Sequence, residues 1–97
     1  MAETNLTRYH AFVEGRVQGV GFRMFVLQHA EQYGLTGWVR NTWQDEVEVL
    51  AEGPQNSIQR LADDLRQGPP SSFVTSVREE MQPYLGEFAR FAVVNTV

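Results

Sequence analysis

Lysine is missing from this chain, and all eight basic residues are arginines. That removes a P-loop lysine, a Schiff-base lysine and a lysine general base together. Cysteine is absent as well, which excludes disulfides, thiolate nucleophiles and zinc–thiolate sites. A chain without disulfides is compatible with the cytoplasm. No apolar run reaches membrane-spanning length, and the opening "MAETNLTRYH" is polar, without the apolar centre of a signal peptide. The net charge of −4 leaves no basic stripe of the kind nucleic-acid-binding domains carry, which argues against a general polyanion binder. These absences lead to the expectation of a cytoplasmic protein with neither a membrane nor a nucleic-acid partner.

What is present fits one packed domain. With 97 residues, 42% of them hydrophobic and 11% aromatic, the chain can build a single two-layer core but not two. The domain is expected to span the whole chain, with its core over about residues 8–95. "RYHAFVE" alternates, placing Tyr9, Ala11 and Val13 on one face of a strand. Phe22, Phe25, Val26, His29, Ala30 and Tyr33 follow helical spacing, and Gly34 with Leu35 reads as the stop. "GWVRNTW" and "EVEVLAE" read as strands joined by a short turn at Gln44 and Asp45. Ile58, Leu61, Ala62 and Leu65 mark a second helix ended by Gly68, Pro69 and Pro70, and "FVTSVREEM" and "FARFAVV" give two further strands. The order β-α-β-β-α-β plus one strand predicts an α+β fold. It is a ferredoxin-like split βαβ sandwich, a mostly antiparallel sheet with two helices on one face.

The segment "GRVQGVGFR", Gly15 to Arg23, is the unusual feature. Three of the eight glycines fall within it, just before a helix. It is not a dinucleotide fingerprint, because Met24 stands where the third glycine belongs, and it is not a P-loop, because lysine is missing. A tight strand-to-helix turn is the plainer reading. Against it, no Ser, Thr, Asp or Asn between Gly15 and Phe22 can cap the helix, and no acid occupies its first turn. Arg23 stands there instead, at the helix end that repels cations. An anion bound among orphan amides and a guanidinium would make all three features favourable.

In a split βαβ unit the first two strands run parallel, so Arg40, Asn41 and Thr42 end at the same sheet edge as the loop, roughly 10 Å away. Arg40 and Asn41 alternate in direction, so only one of them can face the loop. Asn41 offers a donor and an acceptor and can hold a water; such a residue also commonly ends a strand.

"GRVQGVGFR", "GLTGWVRN", "VEVLAEG" and "GPPS" closely resemble the acylphosphatase family, from about Tyr9 to Val94. The resemblance implies hydrolysis of acyl phosphates to a carboxylate and inorganic phosphate, without metal or cofactor. It matches Arg23 to the family's phosphate-binding arginine and Asn41 to its water-orienting asparagine. Its phosphate-cradling loop falls on Arg16, Val17, Gln18, Gly19, Val20 and Gly21. Two departures stand out. Gln44-Asp45 replaces a frequent Asp-Gly, and Trp43 stands where a smaller residue or proline is common. Trp43 is read as a half-buried turn aromatic.

Other residues receive structural readings. His10 within the first strand and His29 on the apolar helix face are assigned to the scaffold. Asp63 and Asp64 diverge by about 100° on a helix and make a poor metal pair. Glu46, Glu48 and Glu52, with Leu50 among them, are read as a solvated strand face. Three rivals remain: an RNA-reading open sheet, which the glutamates disfavour; an anion-binding regulatory domain without turnover; and an acylphosphatase-like domain serving a larger maturation enzyme, as in hydrogenase-maturation carbamoyltransferases. The partners expected are a small acyl phosphate and product phosphate, with the chain a monomer.

Overall fold

The computed structural model describes residues 5–97. Along the chain lie β1 (Leu6–Arg16), α1 (Phe22–Gln32), β2 (Thr36–Asn41), β3 (Val47–Pro54), α2 (Gln55–Gln67), β4 (Phe73–Gln82) and β5 (Phe91–Val93). One five-stranded sheet has the order β4-β1-β3-β2-β5, with every pairing antiparallel except β2 with β5. The predicted element order is therefore observed, although the last strand is shorter than "FARFAVV" implied.

Period-two alternation sends Tyr9, Ala11 and Val13 of β1 and Val47, Val49 and Ala51 of β3 to one side of the sheet. Helical spacing brings Phe22, Val26 and Ala30 of α1 and Ile58, Leu61, Ala62 and Leu65 of α2 against them, forming one core. Burying each larger aliphatic side chain there contributes about 1.5–3 kcal/mol. α1 ends as expected: Leu35 N–H donates to Ala30 O at 2.9 Å, and the Leu35 side chain is buried.

The opposite sheet face corrects one expectation. Glu48, Leu50 and Glu52 are buried rather than solvated, and Glu46 lies just outside β3. The Glu48 carboxylate meets His10 Nε2 at 2.7 Å and Arg40 Nε at 2.9 Å. Glu52 accepts the N–H groups of Leu85 and Gly86 at 2.9 and 3.1 Å, and Arg8 lies 3.6 Å away. Residues between β4 and β5 thus reach Glu52 on a face that the alternation left open. Each buried carboxylate is paired, as a buried charge must be. No helix among the described residues is long and apolar enough to cross a membrane.

Candidate active site

The glycine-rich loop leaves β1 at Arg16 and enters α1 at Phe22. Val17 anchors its base, being only 1% exposed within the core. Gly19 and Gly21 both take left-handed backbone (φ 74° and 80°), which glycine reaches without steric cost. Gly21 is the residue before α1; no side chain caps the helix and no acid lies in its first turn. The first amides of α1 are therefore left for an outside acceptor, at the end carrying about half a positive charge.

Arg23 sits in that first turn and is exposed. Arg8, Arg40, Arg66 and Arg78 all reach carboxylates, whereas no carboxylate among the described residues pairs with Arg23. A cation at the positive end of a helix dipole, without an acid partner, makes a standing electrostatic demand for an anion.

β1 and β2 flank β3 and run parallel to each other. Val13 and Asn41 both pair with Val47, so β2 ends level with Val13, three residues before β1 ends at Arg16, and both strands finish at the same sheet edge, as expected. Arg40 turns to the far face, where its guanidinium stacks 4.3 Å from the Trp38 ring centre. Asn41 turns toward the helices. Its Oδ1 is buried and has no hydrogen-bond partner among the described residues.

Arg23 and Asn41 come together in a pocket of about 240 Å³, with Val17, Gly21, Phe22, Met24 and Val93 forming the rest of its lining. Four of the expected loop residues lie outside that lining. Arg16 and Gly19 are exposed, Val20 packs on the core, and the Gln18 side chain points to the β2–β3 hairpin. Gln18 Nε2 donates to Thr42 O and Glu46 O, both at 2.9 Å. Three lining residues went unforeseen. Phe22 and Met24 could have been inferred, since they flank Arg23 in sequence. Val93 arrives through the parallel pairing of Val39 with Val93, which no local pattern announces.

The hairpin after Asn41 keeps its shape without glycine because Asp45 itself adopts φ 65°. Thr42 Oγ1 accepts the N–H groups of Gln44 and Glu46, and Thr42 N–H donates to Glu46 O. Trp43 is 77% exposed rather than half-buried, and its side chain does not line the pocket. Only its backbone is held, by Val97 O at 3.0 Å. His29 Nδ1 lies 2.8 Å from Phe25 O, and His10 sits on the far sheet face.

Fold and pocket together define a ferredoxin-like domain whose uncapped helix start opens on a pocket at one sheet edge. The family described as acylphosphatase matches residues 9–93. An acylphosphatase from Bacillus velezensis is 42% identical over 88 residues, covering 91% of this chain and 98% of that protein. The crystal structure of acylphosphatase from Bacillus subtilis is similar with a TM-score of 0.88 at 42% identity, covering 91% of this chain and 98% of that one. Full-length HypF, in a phosphate- and nucleotide-bound structure, is similar with a TM-score of 0.85 at 28% identity, covering 94% of this chain but 12% of HypF. The chain belongs to the acylphosphatase family, whose activity is the hydrolysis of acyl phosphates.

Proposed function

We propose that, in the acyl phosphate hydrolysis to which family membership assigns this chain, the phosphoryl group is held by Arg23 and the 16–21 loop, and the water by Asn41. The observation that carries this division is the buried, unpartnered Asn41 Oδ1 in the pocket it shares with Arg23. An unsatisfied buried acceptor costs about 1–3 kcal/mol, and a water donating to it removes that cost. The same water then faces a phosphoryl group seated on the helix amides.

The chemistry asks for little more. As water attacks phosphorus, the bond from phosphorus to the bridging oxygen breaks and the acyl group leaves as a carboxylate of low basicity, so no general acid is required. Catalysis reduces to placing the water in line and stabilising charge on the equatorial oxygens. Arg23 and the amides at the start of α1 supply the electrostatics. The Asn41 amide is a poor base, so the water's proton passes to a phosphoryl oxygen. The reading uses no metal; among the described residues no three metal-ligating side chains converge. It takes the chain as a cytoplasmic monomer acting on a small molecule, and the net charge of −4 argues against a polyanionic partner.

Inhibition by inorganic phosphate separates the two roles. Asn41→Ala is expected to lower kcat by about 10²–10³-fold while phosphate inhibition stays near the original value. Arg23→Ala is expected to weaken both. Equal loss of phosphate affinity in the two variants, each shown folded by circular dichroism, would overturn the assignment of Asn41 to water.

A further inference from the structure

We propose that Gln18 is a positioning residue for hydrolysis, its side-chain amide fixing the Asn41 end of β2 against the phosphate loop. The proposal rests on the reading of Asn41 as the water-holding group.

The sheet ladder creates the need. β1 pairs with β3 as far as Val13 opposite Val47, and there the pairing stops. Beyond that point β1 follows β4 alone, through an irregularity between Glu14 and Gly15, to Arg16 opposite Phe73. The chain that becomes the phosphate loop has therefore left β3 before the loop begins. Asn41 lies at the matching end of β2, also opposite Val47, with its side-chain oxygen unpartnered. No hydrogen bond to that oxygen aims the side chain, so its placement depends on how the backbone around it is held.

Gln18 supplies the missing tie. The two hydrogens of its amide nitrogen meet two acceptors, Thr42 O and Glu46 O, each at 2.9 Å. These carbonyls belong to the residues that close the hairpin, and Thr42 directly follows Asn41. The hairpin is a stiff unit, because Thr42 N–H donates to Glu46 O and the Thr42 hydroxyl accepts two further N–H groups. Holding that unit holds Asn41. On the far face Arg78 also bridges Glu14 and Glu46, but it is 56% exposed, and such surface pairs hold geometry weakly. Among the described residues no other side-chain hydrogen bond joins the loop to the hairpin.

A water held by Asn41 acts only at the right distance and angle from phosphorus, and a misplacement of about 1 Å can cost about 10²-fold in rate. The Gln18 amide sets that separation without touching the substrate.

The test is a double-mutant cycle on acyl phosphate hydrolysis. Gln18→Met keeps the length of the side chain and deletes both donors. Alone, it should lower kcat by about ten- to a hundredfold and change inhibition by inorganic phosphate less than about threefold. Added to Asn41→Ala, it should cost less than about threefold further, because the residue it positions is already gone. The same loss on both backgrounds would overturn the proposal and make Gln18 a scaffold of the loop. Loss of phosphate inhibition alongside kcat would overturn it too. A failure of the underlying reading shows elsewhere, as an Asn41→Ala single variant with unchanged kcat. Gln18→Glu adds a second readout that survives a misfolded methionine variant. Its carboxylate faces two carbonyl oxygens and repels them, but once protonated it donates one hydrogen bond. Its kcat relative to the original protein should recover as pH falls from about 7 to about 5; a flat ratio would contradict the proposal.

Discussion

Arg23→Gln should make the protein more stable and at the same time destroy its activity. The residue lies in the first turn of α1, with no acid in that turn, no capping side chain and no carboxylate paired to it among the described residues. Its charge meets the positive end of the helix dipole, a clash worth about 0.3–1 kcal/mol at low salt. Glutamine has nearly the same helix propensity, so propensity does not confound the change. A gain of about 0.5 kcal/mol corresponds to a melting temperature about 2–4 °C higher in a domain of this size.

Inorganic phosphate should reverse the order. At about ten times its Kd, phosphate stabilises the folded state by about 1.4 kcal/mol, which is about 6–11 °C in melting temperature. The original protein receives that increment; the glutamine variant, lacking the guanidinium, receives little. Thermal unfolding followed by circular dichroism at low ionic strength, with and without phosphate, reads both effects. Added sodium chloride should shrink the first difference by screening. A variant that melts below the original protein without phosphate would show that Arg23 supports the fold. Equal shifts with phosphate in both proteins would remove it from the anion site.

Gly37→Ala should abolish folding or cost more than about 3 kcal/mol, because an added Cβ would lie 1.9 Å from Leu50 O at a φ of 135°; a variant with an unchanged denaturation midpoint would refute that packing. Tyr9 carries an alkaline prediction. Burial, and then its 2.6 Å hydrogen bond to Glu79, hold the phenol well above its usual 10.0. The unfolded chain therefore loses this proton first, so stability is full below about pH 10 and falls as pH rises beyond it. Tyr9→Phe should flatten that decline in urea titrations between about pH 8 and 11, and an unchanged slope would contradict the assignment.

The element order was readable because each element carries its own period. Tyr9, Ala11 and Val13 alternate, and Ile58, Leu61, Ala62 and Leu65 repeat at helical spacing. Split βαβ geometry made the loop and the end of β2 readable as neighbours at one edge, while the choice of Asn41 over Arg40 as the partner of Arg23 came from the family resemblance. What escaped depends on contacts made far along the chain. Glu48 and Glu52 alternate as a solvated face would, yet Arg40, Arg8 and the amides of Leu85 and Gly86 cover them. Gln18 reads as part of the phosphate cradle by position, but its side chain is taken by carbonyls 24 and 28 residues away. Trp43 was expected to be half-buried because it is aromatic, but the hairpin uses only its backbone.

Hydrolysis of benzoyl phosphate beside a simple alkyl phosphate ester, both with a metal chelator present, tests the central claim most directly. The site described above has no group placed to protonate an alkoxide, and a carboxylate needs no such help. Benzoyl phosphate should therefore be cleaved readily, with the ester slower by at least about a thousandfold and the chelator without effect. Comparable rates on the two substrates, or benzoyl phosphate turnover lost to the chelator, would contradict the account.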